Sequence, residues 1–315
     1  MDKAVIDERL FIRRGGWQRK WQTIYGVIFL SPWLIGFIVF KLVPILFSLY
    51  YSFTDFHLLH PDETQFIGLE NYLNVIRDEN AGFTIFFTIG LGMVSIPAQL
   101  LLSLFLAWLL TNTRTKGKML MRTLFFIPAI IPGVAIFSIW LGFFNPSTGW
   151  INQLIMEPLG LPPVGSIYSE SSYNMLITGM LLWSIGPSFI IMLGSMNSVP
   201  EELYEAARVD GAGPMMRFWG ITVPMISPAI LFSIVISLIG LFGGTLLLDP
   251  GNPFTGGVSI FDNYISNVMF QQFEMGYAAA LAWIFFALML LGTITLFKTS
   301  GRWVYYPENQ EEEDF

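Results

Sequence analysis

Cysteine is absent from this chain of 315 residues, and only 12% of its residues are charged. The lack of cysteine excludes disulfides, thiolate metal sites and cysteine nucleophiles. In soluble domains about a quarter of the residues carry charge, whereas this chain combines 54% hydrophobic residues with a mean hydropathy of +0.59. The composition therefore predicts a protein embedded in lipid, without a large aqueous domain.

Histidine is nearly as scarce. His57 and His60 are the only two, and they follow an apolar segment in a polar stretch that also holds Asp55 and Asp62. A structural metal site usually needs four ligands in a defined geometry, and further ligands are not evident here. We interpret this stretch as a solvated loop and expect no metal site.

Two further absences limit the possible functions. The chain has no Gly-x-x-x-x-Gly-Lys-Ser/Thr sequence, so it is not expected to bind a nucleotide in the P-loop mode. Its apolar runs also lack the ionisable clusters of a proton relay, a voltage sensor or a membrane-embedded enzyme. Lys41 is the one charge within a run, and its place near the outer edge of the bilayer favours snorkelling over a buried functional role.

Long apolar runs replace the missing charge. A bilayer core about 30 Å thick needs about 20 consecutive apolar residues in a helix. The runs predict an all-α integral membrane protein with six transmembrane helices, at residues 24–50, 84–111, 123–144, 174–197, 224–248 and 277–298. Residues 1–23 are then an N-terminal segment, residues 24–300 the transmembrane domain, and residues 301–315 an acidic tail expected to be solvated.

Lysine and arginine divide unevenly between the two sides of these spans. Fourteen of the sixteen fall before the first span, in the loops 112–122 and 198–223, or at the C-terminal end. The positive-inside rule places these segments in the cytoplasm. We therefore expect a multi-pass protein with both termini cytoplasmic.

The cytoplasmic loop 198–224 carries signals for ordered structure. Ser198 with Glu201 three residues later is a capping-box pattern, and Pro200 suits the first turn of a helix. The pattern predicts a helix at residues 199–209, whose acidic first turn matches the positive end of the helix dipole.

Glycine and proline mark the end of this helix and the start of another. Gly211 is placed to terminate the first helix. Gly213 and Pro214 are suited to cap and begin a second short helix that runs to Trp219. The loop is therefore expected to be folded.

The first of these helices has a face of small and apolar residues. Leu203, Ala206 and Ala207 share it by three- and four-residue spacing, with Tyr204 beside them. One interpretation is a helix lying on the membrane surface, but Arg208 is its only basic residue and binding to anionic lipid favours several. Docking to another protein is the favoured interpretation.

Seven residues of this loop follow a spacing of Glu-Ala-Ala, three residues, glycine, nine residues, isoleucine, one residue, an aliphatic residue and proline. The pattern resembles the signature of the integral membrane permeases of binding-protein-dependent ABC importers, with valine where leucine is usual. The matching positions are Glu205, Ala206, Ala207, Gly211, Ile221, Val223 and Pro224.

Other segments are similar to the carbohydrate branch of that family, and in particular to the MalF-like member of its permease pair. The likeness extends over about residues 24–300. The segment 248–253 departs from the Thr-Gly-Gly-Gly-Pro sequence common after the fifth span. The similar segments are 31–37, Pro44, 52–55, 66–72, 200–212 and 276–280.

The resemblance implies that the first helix of the loop is a coupling helix seated in a groove of a separate ATPase subunit. Glu205→Lys or Gly211→Asp would then leave the protein in the membrane but uncouple transport. The implied coupling residues are Glu201, Leu203, Tyr204, Glu205, Ala206, Ala207, Arg208, Asp210, Gly211, Ile221 and Pro224.

The same resemblance implies the rest of the assembly and its location. The partners would be a second, MalG-like permease, a dimer of ABC ATPase subunits that hold ATP and Mg, and an extracytoplasmic substrate-binding protein. This chain would bind no cofactor, be no enzyme and contact no nucleic acid. It would lie in the bilayer of a bacterial or archaeal plasma membrane.

The middles of the last three predicted spans contain no charged residue, which favours a neutral saccharide as the substrate. Hydroxyls and an aromatic plane suit a sugar, although such residues also occur at ordinary helix contacts in membranes. The candidate path residues are Trp183, Ser184, Ser188, Ser233, Ser237 and Gly240. A permease for glycerol phosphate or another non-sugar solute, and a non-transporting membrane scaffold, remain alternatives.

Overall fold

The computed structural model describes residues 24–111, 115–143, 145, 147–161, 183, 185–242 and 261–306. These residues form helices and contain no strand; their only extended pairings are the isolated bridges Thr54–Phe66 and His57–Glu274. The longer helices are α1 Ile24–Tyr51, α2 Glu70–Arg77, α3 Glu79–Thr111, α4 Lys118–Ile130, α5 Gly133–Phe143, α6 Gly186–Asn197, α7 Glu201–Val209, α8 Pro214–Met225, α9 Ser227–Phe242, α10 Phe261–Phe270 and α11 Met275–Ser300. Two short elements are the 3-10 turn Pro61–Glu63 and the π-helical turn Asn152–Met156.

Three helices in the described part of the chain are long and apolar enough to cross a membrane: α1, α3 and α11. They coincide with the first, second and sixth predicted spans. The bent pair α8 and α9 makes a fourth if it counts as one span. The described residues thus confirm a helical membrane protein, whereas the count of six spans stays a prediction.

The third predicted span, residues 123–144, is not a single helix. Helix α4 ends at Ile130, and α5 begins at Gly133. Ile131 between them is extended, with ψ of 130°. Proline disfavours helical geometry at the residue before it and supplies no N–H, so Pro132 explains the break.

The fifth predicted span, residues 224–248, begins with a bend. The axes of α8 and α9 differ by 68°. Ile226 at the junction leaves helical geometry, with ψ of 6°. Pro224 therefore belongs to the last turn of α8 and not to the spanning helix, and residues 243–248 lie outside the described residues. Of the fourth predicted span, 174–197, residues 183 and 185–197 are described.

Buried apolar side chains form two separate cores. One lies where α3 and α6 end and α9 begins, which we call the loop end; it includes Leu110, Phe189 and Ile226. The other joins the start of α3 to α10 and α11, which we call the cap end; it includes Phe261 and Leu281.

The cap end also contains the chain between α1 and α2, held to the start of α11 by backbone hydrogen bonds. Gly276 N donates to Phe56 O at 2.9 Å, and Leu58 N donates to Phe273 O at 2.9 Å. His57 accepts from Leu59 N through Nδ1, so its Nε2–H faces Gln272 O at 3.1 Å. The predicted histidine loop is therefore an ordered connection within the cap end.

Candidate functional site

Helix α7 of the predicted coupling loop begins at Glu201, but not through the predicted capping box. Pro200 occupies the N-cap position, and no side chain caps the helix. Ser198 Oγ instead donates backward to Ser195 O at 2.8 Å. The capping-box prediction was wrong because Ser198 belongs to the end of α6, and Pro200 sets the extended backbone from which α7 starts.

The end of α7 follows the prediction. Gly211 has φ of +78°, in the left-handed region that favours glycine. Ala212 N donates to Ala207 O at 2.9 Å, and Gly211 N donates to Arg208 O at 3.1 Å. These two bonds are a Schellman motif, which satisfies the last carbonyls of the helix.

The second helix, α8, begins as predicted and runs beyond Trp219 to Met225. Gly213 is its extended N-cap and Pro214 its first residue. A π-helical stretch at Phe218–Thr222 widens its middle. Such widened turns are rare and often occur at functional sites.

One contact joins the two helices of this hairpin, and another holds the hairpin against α3. The hydroxyls of Tyr204 on α7 and Thr222 on α8 are 2.8 Å apart. The rings of Phe218 on α8 and Trp108 on α3 have centroids 5.6 Å apart, and Phe218 is buried. These contacts connect α7 through α8 to α3.

The predicted docking face of α7 is divided in the structure. Tyr204 and Ala207 are half-buried toward the bundle, whereas Leu203 and Ala206 are exposed. Val209, which the sequence analysis did not select, is 88% exposed. Leu203, Ala206 and Val209 recur every three residues, so the spacing rule that selected the first two could also have found the third.

The carboxylate of Glu205 has no structural role among the described residues. It is exposed, and it makes no hydrogen bond or ion pair with them. Other members of the signature do have internal roles: Gly211 ends α7, and Pro224 O accepts a 2.6 Å bond from Ser227 Oγ. The exposed Glu201 and Arg208 lie 3.8 Å apart, Ile221 is half-buried, and Asp210 is the exposed C-cap.

The candidate substrate-path residues occupy different environments. Ser188 and Ser233 are buried, and Ser233 Oγ has no partner among the described residues. Ser237 donates to Gln99 Oε1 on α3 at 2.9 Å. The face that Ser233 and Ser237 share therefore packs against α3 in this conformation.

The remaining path candidates are more accessible. Trp183 is 51% exposed and packs edge-on against Trp140, with ring centroids 5.9 Å apart. Gly240 is exposed, with open space where a Cβ would lie. Ser184 lies outside the described residues.

Three segments that carry the family resemblance meet at the cap end. Asn71 Nδ2 donates to Ser52 O at 3.0 Å and to Thr54 O at 2.7 Å. A Cβ on Gly276 would overlap Thr54 O. The Asn71 side chain therefore joins segment 66–72 to the backbone of segment 52–55. Segment 276–280 approaches the same backbone closely, and Gly276 has the small size that this approach requires.

Asp78 is a second polar centre at the cap end. Its carboxylate caps α3 by accepting from Asn80 N at 2.9 Å and Ala81 N at 3.2 Å. It also accepts from the hydroxyls of Tyr264 and Tyr277, the latter at 2.7 Å. Burial raises the pKa of Asp78, but these hydrogen bonds outweigh it and hold the pKa below its usual value. Burial and the hydrogen bond to Asp78 raise the pKa of Tyr264.

Residues 99–304 match the family described as the binding-protein-dependent transport system inner membrane component. The chain belongs to this family, so it is a transport permease and not an enzyme. It is 34% identical over 298 residues to the probable ABC transporter permease protein YesP of Bacillus subtilis, covering 92% of this chain and 94% of that protein. It is 28% identical over 282 residues to the trehalose/maltose permease MalF of Thermococcus litoralis, covering 87% and 92%.

The fold also matches a solved structure. A chain of the bacterial alginate ABC transporter, in complex with a periplasmic protein that holds an alginate pentasaccharide, aligns with a TM-score of 0.76 at 23% identity. The alignment covers 90% of this chain and 96% of that one. The described helices thus have the fold of an ABC transporter permease.

Proposed function

We propose that this chain is one permease subunit of an ATP-driven, binding-protein-dependent importer for a neutral mono-, di- or oligosaccharide. The observation that carries the coupling role is helix α7, which is fixed from within by Tyr204 and Gly211 yet presents an unpaired Glu205 beside exposed apolar residues. A buried carboxylate without a partner is costly, so the docking groove should offer a cation or donors to Glu205.

The further partners are a second, MalG-like permease and an extracytoplasmic binding protein, with ATP and Mg on a dimer of ABC ATPases. The surface of helix α1 is consistent with a second membrane partner or with lipid around it. The described residues bury no part of its most apolar window. The protein would lie in a bacterial or archaeal plasma membrane with both termini cytoplasmic, as the lysine and arginine distribution favours.

The names of the relatives support a sugar substrate. They include permeases for trehalose and maltose, for arabinooligosaccharides and for multiple sugars. The accessible Trp183 would offer a sugar an aromatic plane. In the conformation described, Ser188 and Ser233 would reach a substrate only after the helices separate.

An anionic saccharide is a second candidate. A relative transports sulfoquinovosyl glycerol, and the alginate transporter that shares this fold imports an acidic polysaccharide. The middles of the last three predicted spans contain no charge, but this does not exclude an anionic substrate, since the second permease could provide the counter-charge. The neutral substrate remains our proposal because an ion without a partner would be costly at that depth.

Reconstitution with the second permease, the ATPase and the binding protein tests the substrate class. We expect neutral saccharides in a panel to stimulate ATP hydrolysis, with sugar acids and glycerol phosphate inactive. Stimulation by an acidic sugar in preference to every neutral one would overturn the neutral class but not the importer. A loop partner that never hydrolyses ATP in response to a solute would instead indicate a scaffold.

A further inference from the structure

A cleft of about 800 Å³ lies between the α7–α8 hairpin and the ends of α3 and α6. Its lining residues on α7 are the half-buried Tyr204 and the exposed Glu201 and Arg208, whereas Leu203, Glu205 and Val209 are not part of the lining. Its lining mixes apolar residues, among them Trp108 and Phe218, with polar residues, among them Glu201, Tyr204, Arg208 and Arg217.

Arg217 is the charged group of this cleft that has no counter-charge. Its Nε is buried and has no hydrogen-bond partner in the part of the chain that the structure describes. Glu201 and Arg208, 3.8 Å apart, largely offset one another. Tyr204 and Thr222 bond to each other. The cleft therefore carries about one uncompensated positive charge next to a donor that lacks an acceptor.

A buried donor of a charged group without a partner is destabilising, and the planar guanidinium group pairs well with the oxygens of carboxylate and phosphate. The volume exceeds what one water molecule would fill. A ligand with one negative charge and an apolar part would match both the charged and the apolar residues of the lining.

We propose that this cleft binds the phosphate of a membrane glycerophospholipid, with the Arg217 guanidinium paired to the phosphate and the acyl chains leaving past Trp108 and Phe218. A phosphate diester carries one negative charge, which matches the single uncompensated arginine. The cleft lies where the 33-residue apolar helix α3 ends, and tryptophan and phospholipid headgroups are typical of the ends of membrane-spanning helices. The proposal requires only that the chain is in a membrane, and not that α7 couples to an ATPase.

The test uses the full chain, purified with its partner subunits in detergent, and native mass spectrometry as the readout. Phosphatidylglycerol and diacylglycerol of the same acyl chains are the probes. Wild type should retain phosphatidylglycerol and not diacylglycerol. Arg217→Gln should lower retention about tenfold, since it removes a charge-assisted pair. Arg302→Gln, at an exposed arginine outside the cleft, should retain the lipid like wild type.

Arg217→Lys guards against a folding defect, because it keeps the charge; it should retain more phosphatidylglycerol than Arg217→Gln. Equal retention by wild type and both Arg217 variants would overturn the proposal, and it is also the outcome if a partner protein fills the cleft. Displacement of the lipid by inorganic phosphate at comparable concentration would overturn the lipid as the source of the phosphate. Loss of lipid binding would leave the importer function untouched, so the two proposals fail separately.

Discussion

Gly211 and Gly213 are two residues apart, but the structure assigns them different constraints. Gly211 has φ of +78°, whereas Gly213 has φ of −69°. A Cβ added to Gly213 would have no atom within 4 Å. A side chain in the left-handed region costs about 1–2 kcal/mol. Gly211→Ala should therefore speed hydrogen exchange at the Ala212 amide by about fivefold or more, whereas Gly213→Ala should leave it near the wild-type rate. Equal effects from the two substitutions would contradict the assigned helix end.

Asp78 predicts an acid-sensitive cap end. Its pKa is lower in the folded protein than in the unfolded chain, so protonation favours unfolding. The stabilisation is complete above the ordinary carboxyl pKa of about 4 and is lost as the pH falls through the lower folded value. Thermal unfolding in detergent should show this loss in wild type but not in Asp78→Asn. The proposal is contradicted if Asp78→Asn keeps the full acid dependence of wild type.

Sequence information identified single residues well where one residue type has a specific backbone or surface role. The position of Gly211 followed from its conformational freedom, and Pro214 from its preference for the first turn. Ser198 was assigned wrongly because the same side chain can cap a following helix or bond back to a preceding one. Arg217 Nε is buried without a partner among the described residues because four helices pack around it. No local sequence pattern indicates such packing.

At the scale of helices, α11 contains two glycines that the structure separates by their surroundings. A Cβ on Gly276 would overlap Thr54 O and lie 3.0 Å from Phe56 N, whereas one on Gly292 would meet nothing within 4 Å. Forcing an extra carbon into such a contact costs about 1–3 kcal/mol. Gly276→Ala should lower the unfolding temperature of the purified protein measurably.

Gly292→Ala is the matched control in the same helix and should leave that temperature unchanged or slightly higher, since alanine favours helix. An unchanged temperature in Gly276→Ala would mean that the segments 52–55 and 276–280 are not in contact.

Helix breaks were the part of the fold that hydropathy could not predict. Apolarity marks both α4 and α5 as one run, and only Pro132 shows where the run divides. The bend at Ile226 is likewise marked only by a proline: Pro228 has no N–H to donate to Pro224 O, and Ser227 Oγ donates to that oxygen instead. The segment after α11 is held at the same place, where Tyr305 N donates to Ser227 Oγ at 2.8 Å.

At the scale of the whole molecule, contacts join several helices at each end of the bundle. The cap end joins α1, α2, α10 and α11 through backbone contacts, and the loop end joins α7 and α8 to α3 through Tyr204 and Phe218. In the proposed importer, the energy for movement would come from a separate ATPase subunit. The sequence motif predicts where that subunit would dock, and the structure shows the contacts that connect this loop to α3.

The most direct test of this account compares Glu205→Lys with Glu202→Lys in the reconstituted importer. Both residues are exposed on α7, but only Glu205 belongs to the family signature. With the loaded binding protein present, we expect Glu205→Lys to lower stimulated ATP hydrolysis at least about tenfold, because a reversed charge would be buried in the groove. Glu202→Lys should remain near wild type. Wild-type stimulation in Glu205→Lys, or an equal loss in both variants, would contradict the coupling role of this loop.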